Sequence, residues 1–286
     1  MKKILTLMML CAFILLTGCG GSSGEDNQNN AEKTGVVKLG IIKYLNVTET
    51  LFNSYFEKSA ARMNQTKDIY ASKHIFFDNM TSMLAALESK QIDGISTYNS
   101  VGNYLVANNS GFAIDENNVP KLSDSFCCAM REDNAELKDD FNAAILKLKA
   151  NGTLDKLVDT YIKNVKADEP MQIISLPHFD GVDTIKVAVT GDLPPMDYVT
   201  ADGNAAGFNI ALLAEISKVI GKNFELINVD SGARAIALIS EQADVVFWVA
   251  VSVDKIIIPA NWDVPDGIVI TEPYFTDEIT HVKLSD

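Results

Sequence analysis

Arginine is scarce in this sequence: Arg62, Arg131 and Arg234 are the only three in 286 residues. Against 24 Lys plus Arg stand 38 Asp plus Glu, a formal net charge of -14. No basic surface is available to neutralise a run of phosphates, which argues against nucleic acid as a partner. Cysteine is also sparse, with four residues, and only the vicinal pair Cys127-Cys128 lies outside the N-terminal region. No CxxC, HExxH, Cys/His cluster or phosphate-binding loop occurs, so no metal and no cofactor is expected. Adjacent cysteines point to opposite faces of a strand, and Ser125 to Met130 reads as a buried strand with the thiols as small apolar fillers. What the chain does have is 47% hydrophobic residues, the composition of one large or two modest globular domains.

The N-terminus follows a different pattern. Met1-Lys2-Lys3 is a basic start, Ile4 to Leu16 an apolar run, and Leu16-Thr17-Gly18-Cys19 closes it with small residues before a cysteine. Thirteen apolar residues are fewer than the ~20 that a spanning helix needs. Residues 1–18 therefore read as a signal peptide, and the Gly/Ser-rich and polar residues 19–35 as a disordered tether. The four closing residues resemble the lipobox of bacterial lipoproteins. That resemblance implies cleavage before Cys19, lipidation of its sulfur, and a mature chain anchored outside the cytoplasmic membrane.

Beyond residue 35 short β-rich runs alternate with amphipathic stretches, which predicts an α/β protein with mainly parallel strands. Strands are expected at Val36 to Ile42, His74 to Phe77, Gly94 to Thr97, around Phe126, and at Ile185 to Val189, Phe224 to Val229, Val245 to Trp248, Ile268 to Ile270 and Ile279 to Leu284. Helices are expected at Thr50 to Met63, Met80 to Lys90, Val101 to Ala107, Glu136 to Lys149, Leu154 to Asn164, Ile210 to Ile220 and Gly232 to Glu241. An internal echo joins the two halves. Leu87 to Asp93 and Leu238 to Asp244 each end a helix, turn, and open a strand with an acid. Two lobes on one plan predict a cleft at the carboxyl ends of their strands.

Several ordered motifs carry a resemblance. Gly191-Asp-Leu-Pro194-Pro195-Met196-Asp-Tyr198, Asp202-Gly203, Gly207-Phe208-Asn209-Ile210, Leu238 to Asp244 and Thr271-Glu-Pro273-Tyr274-Phe275 resemble the opening lobe of the family 3 solute-binding proteins, the extracytoplasmic amino-acid receptors of ABC importers. Leu87 to Ser96, Phe126 to Met130 and Leu146 to Tyr161 resemble the rest of that family. The resemblance implies a two-lobed periplasmic-binding-protein type II fold with its lobes in permuted order, because the family's first lobe comes second here. Residues 36–125 would be the family's second lobe, 126–165 a crossover strand and returning helices, 166–184 a linker joining the family's termini, and 185–286 the first lobe. A circular permutation of this kind predicts that Ile279 to Leu284 lies near Val36 to Ile42. With the chain cut there, the crossing at Phe126 to Arg131 is expected to be the principal hinge.

The family holds a ligand's carboxylate with an Arg on the first lobe and its ammonium with an acid on the second. Here no Arg follows Arg234, Lys255 is the available cation, and Tyr98 stands about where the acid would be. Tyr198, Trp248, Ser252 and Lys255 on one lobe, and Asn46, Thr48, Tyr98 and Asn99 on the other, are the ligand-binding candidates. The rings suit an apolar, aromatic or cationic group. Core packing is the competing role for each ring, and helix capping for Asn46 and Thr48. The function implied is capture of an amino acid or related small polar solute for an importer permease. Cyclohexadienyl dehydratases share the fold and a surface sensor is a further alternative, but none of His74, His178 and His281 lies near a nucleophile or carboxylate signature, and no enzyme is expected.

Overall fold

The computed structural model describes residues 36–63, 72–116, 122–165, 171–200, 202–253, 258–259 and 261–285. The signal, Cys19, the whole of the tether and Lys255 lie outside the described residues. The first half runs β1 (Lys38–Ile42), α1 (Glu49–Met63), β2 (Lys73–Phe77), α2 (Met80–Glu88), β3 (Gly94–Tyr98), α3 (Asn99–Asn108) and β4 (Phe112–Ile114). Then β5 (Ser123–Arg131) leads into α4 (Ala135–Ala150) and α5 (Thr153–Val158). The second half has β6 (Thr184–Val189), β7 (Asp192–Leu193), β8 (Asp197–Val199), β9 (Ala205–Ala206), α6 (Phe208–Ile220), β10 (Asn223–Asn228), α7 (Arg234–Ile239), β11 (Val245–Ser252), β12 (Ile268–Ile270) and β13 (Phe275–Leu284).

One sheet passes through both halves in the order β10-β6-β11-β5-β13-β3-β1-β2, with β12 on β5 and β4 on β13. Its two ends share one plan. In the first half β1 lies between β2 and β3, all parallel, and in the second β6 lies between β10 and β11, all parallel. The middle differs from the mainly parallel sheet expected, since β11 pairs β5, β5 pairs β13 and β13 pairs β3 antiparallel. Parallel neighbours need a crossover helix, whereas β5 and β13 pass directly from one half into the other. Helices α4 and α5 return to the second half and pack on α6, and Phe141 of α4 meets Phe224 of β10 at 5.7 Å between ring centroids. Nine of the thirteen residues of α6 are buried, so it is apolar on nearly every side.

The internal echo is a repeated piece of structure. Lys90 and Glu241 both take φ 59, the left-handed conformation that ends α2 and α7. Asp93 then accepts the Lys38 amide at 2.9 Å while its own amide donates to the Lys38 carbonyl, and Asp244 does the same with Lys186 at 2.9 Å and its carbonyl. Each acid therefore clamps the opening strand of its half to the third strand. The second copy is braced further by Arg131, which donates to the carbonyls of Leu238 and Ala243 and lies 3.7 Å from Asp244.

Both crossings between the halves are intact, which corrects the single-hinge expectation. Phe275 to Glu278 of β13 pair with Phe126 to Ser123 of β5, and the next four residues of β13 pair with β3. The chain end lies beyond its crossing, inside the first half. There Gly94 separates the last strand from the first: a Cβ on it would stand 3.1 Å from the Val282 carbonyl and 3.2 Å from Leu39. So Ile279 to Leu284 and β1 flank the same strand, with Gly94 allowing their close approach. The clamp makes a testable prediction: Asp93→Ala should cost about 1 kcal/mol and Asp244→Ala about 2 kcal/mol in urea unfolding, because only the second also loses an ion pair, the one with Arg131. Equal costs would remove the distinction.

Candidate functional site

Where the carboxyl ends of β1 and β3 face the second half, Tyr44, Thr97, Tyr98, Leu193, Arg234 and Trp248 are among the residues that line a small cavity. The centre of a water molecule can reach ≈ 30 Å³ of it, room for about two waters. The walls are aromatic and already packed on one another. Trp248 stacks on Phe126 at 3.6 Å, and Tyr98 meets both edge-on at 4.7 and 5.6 Å. The Tyr98 hydroxyl donates to Asp124 at 2.7 Å, and burial followed by that carboxylate's charge pushes its pKa well up. A small cavity with self-packed walls admits a solute only when the halves part.

Arg234 closes one side and is 2% exposed. Its Nε donates to the Ser231 carbonyl, Nη1 to those of Phe247 and Trp248, and Nη2 to that of Lys43 in the opposite half. Successive carbonyls of a regular strand point opposite ways, so receiving both Phe247 and Trp248 at one nitrogen requires a break in β11. The register shifts between Val246 and Val249, and Trp248 has φ 66. Sequence reasoning passed over Arg234 because it lies within the expected helix Gly232 to Glu241, and the backbone carbonyls that hold it carry no mark in the residue types.

More bonds join the halves around the cavity. Asp192 accepts the amides of Met80 and Thr81 at the start of α2, Asp230 accepts from Asn79, and Ser231 donates to the Asp78 carbonyl from both its amide and its hydroxyl. Gly232 is needed here, since a Cβ would lie 2.6 Å from an Asp78 carboxylate oxygen. The resemblance motif has a structural task of its own: buried Asp197 accepts from Thr190, Gly191 and Asn209 and so shapes the loop that carries Asp192.

The candidates fare differently. Tyr98 and Trp248 line the cavity together, and Lys255 lies outside the described residues. Tyr198 is 37% exposed on β8, away from the cavity lining. Ser252 is buried at the end of β11 opposite Asp124, and Asn99 lines a separate, larger opening of ≈ 540 Å³ with Tyr104 and Asp277. Thr48 caps α1, its Oγ1 accepting the Leu51 amide, and Asn46 is exposed with its amide on Asp263. Cys127 and Cys128 are buried strand residues whose thiols burial pushes up, Cys127 to about 12. Among the described residues no group of three His, Cys, Asp or Glu is placed to hold a metal, and no helix is long and apolar enough to cross a membrane.

His74 and His281 sit together, 3% and 7% exposed, and desolvation lowers each to about 4. Unfolded, each would take a proton near 6.5; folded, each stays neutral until about 4, so the unfolded state binds more protons in that window. Their contribution to stability is full above 6.5 and is lost as pH falls towards 4. In thermal unfolding, His74→Leu should lose less stability than the parent between pH 7 and pH 4, by up to about 3 kcal/mol; parallel profiles would contradict this. For Arg234, Arg234→Leu should cost at least about 3 kcal/mol, because it strands four buried carbonyls. Arg234→Lys should recover only part, since an ammonium lacks the planar fork. Full recovery by lysine would show that charge, and not the fork, is what matters.

The sequence matches the model of the bacterial extracellular solute-binding proteins, family 3, over residues 61–164 and 185–252. No curated protein matches. Solved structures similar to this one include the GluR0 ligand-binding core in complex with L-glutamate, 11% identical over 89% of this chain and 86% of that chain, with a TM-score of 0.40. A putative L-cystine ABC transporter protein from Listeria monocytogenes is 12% identical over 88% of this chain and 83% of its own, with a TM-score of 0.41. The ligand-binding component of an ABC-type import system from Staphylococcus aureus, with zinc bound, is 13% identical over 87% and 66%, with a TM-score of 0.40. The family match covers more than half of the chain and agrees with the two-lobed α/β architecture: this protein belongs to the family 3 bacterial extracellular solute-binding proteins and has their type II periplasmic-binding fold.

Proposed function

We propose that this protein is an extracytoplasmic receptor, tethered to the membrane by a lipid on Cys19, that closes its two lobes on an amino acid or related small polar solute and delivers it to an ABC importer permease. Family membership supports solute binding outside the cytoplasm. The observation that carries the reading is the cavity itself, which lies between the lobes at the carboxyl ends of β1 and β3 with aromatic walls and a guanidinium. Among the described residues its lining includes no carboxylate and no imidazole, the groups a dehydratase would use for proton transfer. Binding without chemistry fits that wall better than catalysis.

The same reading takes the chain as circularly permuted, with residues 166–184 joining what are elsewhere the ends. Support comes from the order of the motifs and from the close approach of Val282 and Leu39 at Gly94, where a short connection would restore an uninterrupted second lobe. Residues 1–18 as a cleaved signal and 19–35 as a tether belong to the same proposal.

The test is a thermal-shift panel of the twenty amino acids and their simple derivatives. A true solute at a hundredfold excess over its dissociation constant stabilises by about 2.7 kcal/mol, a shift of several degrees. Thr97, one of the residues that wall the cavity, supplies the control: Thr97→Val should weaken that solute about tenfold with the unliganded midpoint little changed. No shift from any member of the panel would reject the amino-acid class. The buried position of Tyr98 also changes what its removal should do, since Tyr98→Ala opens a hole against Phe126 and Trp248 and should cost about 3 to 5 kcal/mol.

A further inference from the structure

Between β11 and β12 the second lobe brings Trp262 and Asp263 against the first. The Trp262 ring, 7% exposed, packs edge-on against Tyr44 at 4.3 Å and tilted on Phe52 at 5.7 Å. Asp263 follows and is completely buried. Its Oδ1 accepts the amides of Asn46 at 2.8 Å and Val47 at 3.4 Å, and the Leu45 amide also favours its charged form. These amides follow directly on Lys43 and Tyr44 in the cavity wall. Successive amides converging on one point make an anion-accepting turn.

Asp263 is not there to cap α1, because Thr48 already does so. Nor is its seat comfortable. Oδ2 has no partner among the described residues, and burial raises the carboxyl to about 6 although the amides and the nearby Arg234 charge pull it back. A carboxylate has been drawn out of water, from a loop of one lobe, onto a turn of the other beside the cleft. The contact joins the two lobes through groups of the chain alone.

We propose that Asp263 is an internal latch: a tethered carboxylate that fills the anion-accepting turn at Leu45 to Val47 and holds the lobes together with no solute bound. Trp262 anchors the latch among the aromatic rings of the first lobe. A solute with a free carboxylate then reaches that turn only by displacing Asp263, and a solute without one binds with the latch in place. The inference deepens the receptor reading given above and rests on the same cleft, but its test involves no solute from the amino-acid panel.

Hydrogen exchange read by mass spectrometry on the whole chain measures it, with acetate as the probe. In the parent the Asn46 and Val47 amides should be protected and indifferent to acetate. In Asp263→Ala they should exchange at least tenfold faster, acetate should restore their protection, and chloride at equal ionic strength should not. Throughout, the core amides of Val187 to Val189 report whether the fold is intact. If Asp263→Ala unfolds the chain, the neutral isostere Asp263→Asn is read instead, with at least threefold faster exchange expected at Asn46 and Val47. Unchanged exchange at those two amides in a folded variant overturns the latch. So does exchange that rises in Asp263→Ala without answering to acetate, because the turn then has no affinity for a carboxylate.

Discussion

The burial of one guanidinium organises the centre of this molecule. Arg234 is taken out of water without an ion-pair partner among the described residues, and a cation in that position is tolerated only if carbonyl oxygens replace its hydration. Three of those carbonyls come from its own lobe and one, Lys43, from the other. Bringing the Phe247 and Trp248 carbonyls to one nitrogen bends β11 out of regular geometry, and the bend accompanies the stacking of the Trp248 ring on Phe126. The Lys43 bond draws the end of β1 across the cleft. The aromatic wall, the closure of the lobes and the positive charge that helps Asp263 remain ionised all depend on the same side chain.

What was legible in the sequence follows from how local each signal is. Strands set between helical stretches, such as β1 and β6, announce themselves by periodicity. The repeat of Leu and Asp six residues apart also proved structural, because a left-handed turn and a two-bond clamp are set by a handful of neighbouring residues. By contrast β13 begins four residues before the expected strand, at Phe275, since Asp277 and Glu278 mask a segment that pairs with β5 before the rest of the strand pairs with β3. The small sheet of β7, β8 and β9 was not foreseen, being built from short pieces of a turn-rich loop. Thr48 and the two cysteines took the structural roles their residue types favour.

The site was harder to read because its determinants join distant parts of the chain. Tyr98 and Trp248 were visible as rings at strand ends, where an α/β cleft opens. Arg234 figured in the sequence only as the last arginine, and Asp263 lies 217 residues from the amide whose hydrogen bond it accepts. No window along the sequence contains both members of such a pair. A missing binding arginine and a missing acid were detectable against the family pattern, but not that the protein supplies carboxylates of its own to the facing amides.

Those carboxylates bear on how a receptor of this architecture is held shut. Asp192 at the start of α2 and Asp263 at the turn before α1 both come from the second lobe and both meet backbone amides of the first. Each position favours negative charge through oriented N–H groups. In a receptor closed by its solute, the solute provides the groups that bridge the lobes, and the equilibrium between open and closed states shifts only by its differential affinity for the two. Here part of that bridging is covalently attached to the protein. The consequence is thermodynamic: every bond the second lobe makes to the first on its own account favours the closed state before a solute arrives, and reduces the share of closure that solute binding has to drive. That bias acts across the two strands that cross between the lobes, β5 and β13, which pair with each other where they pass.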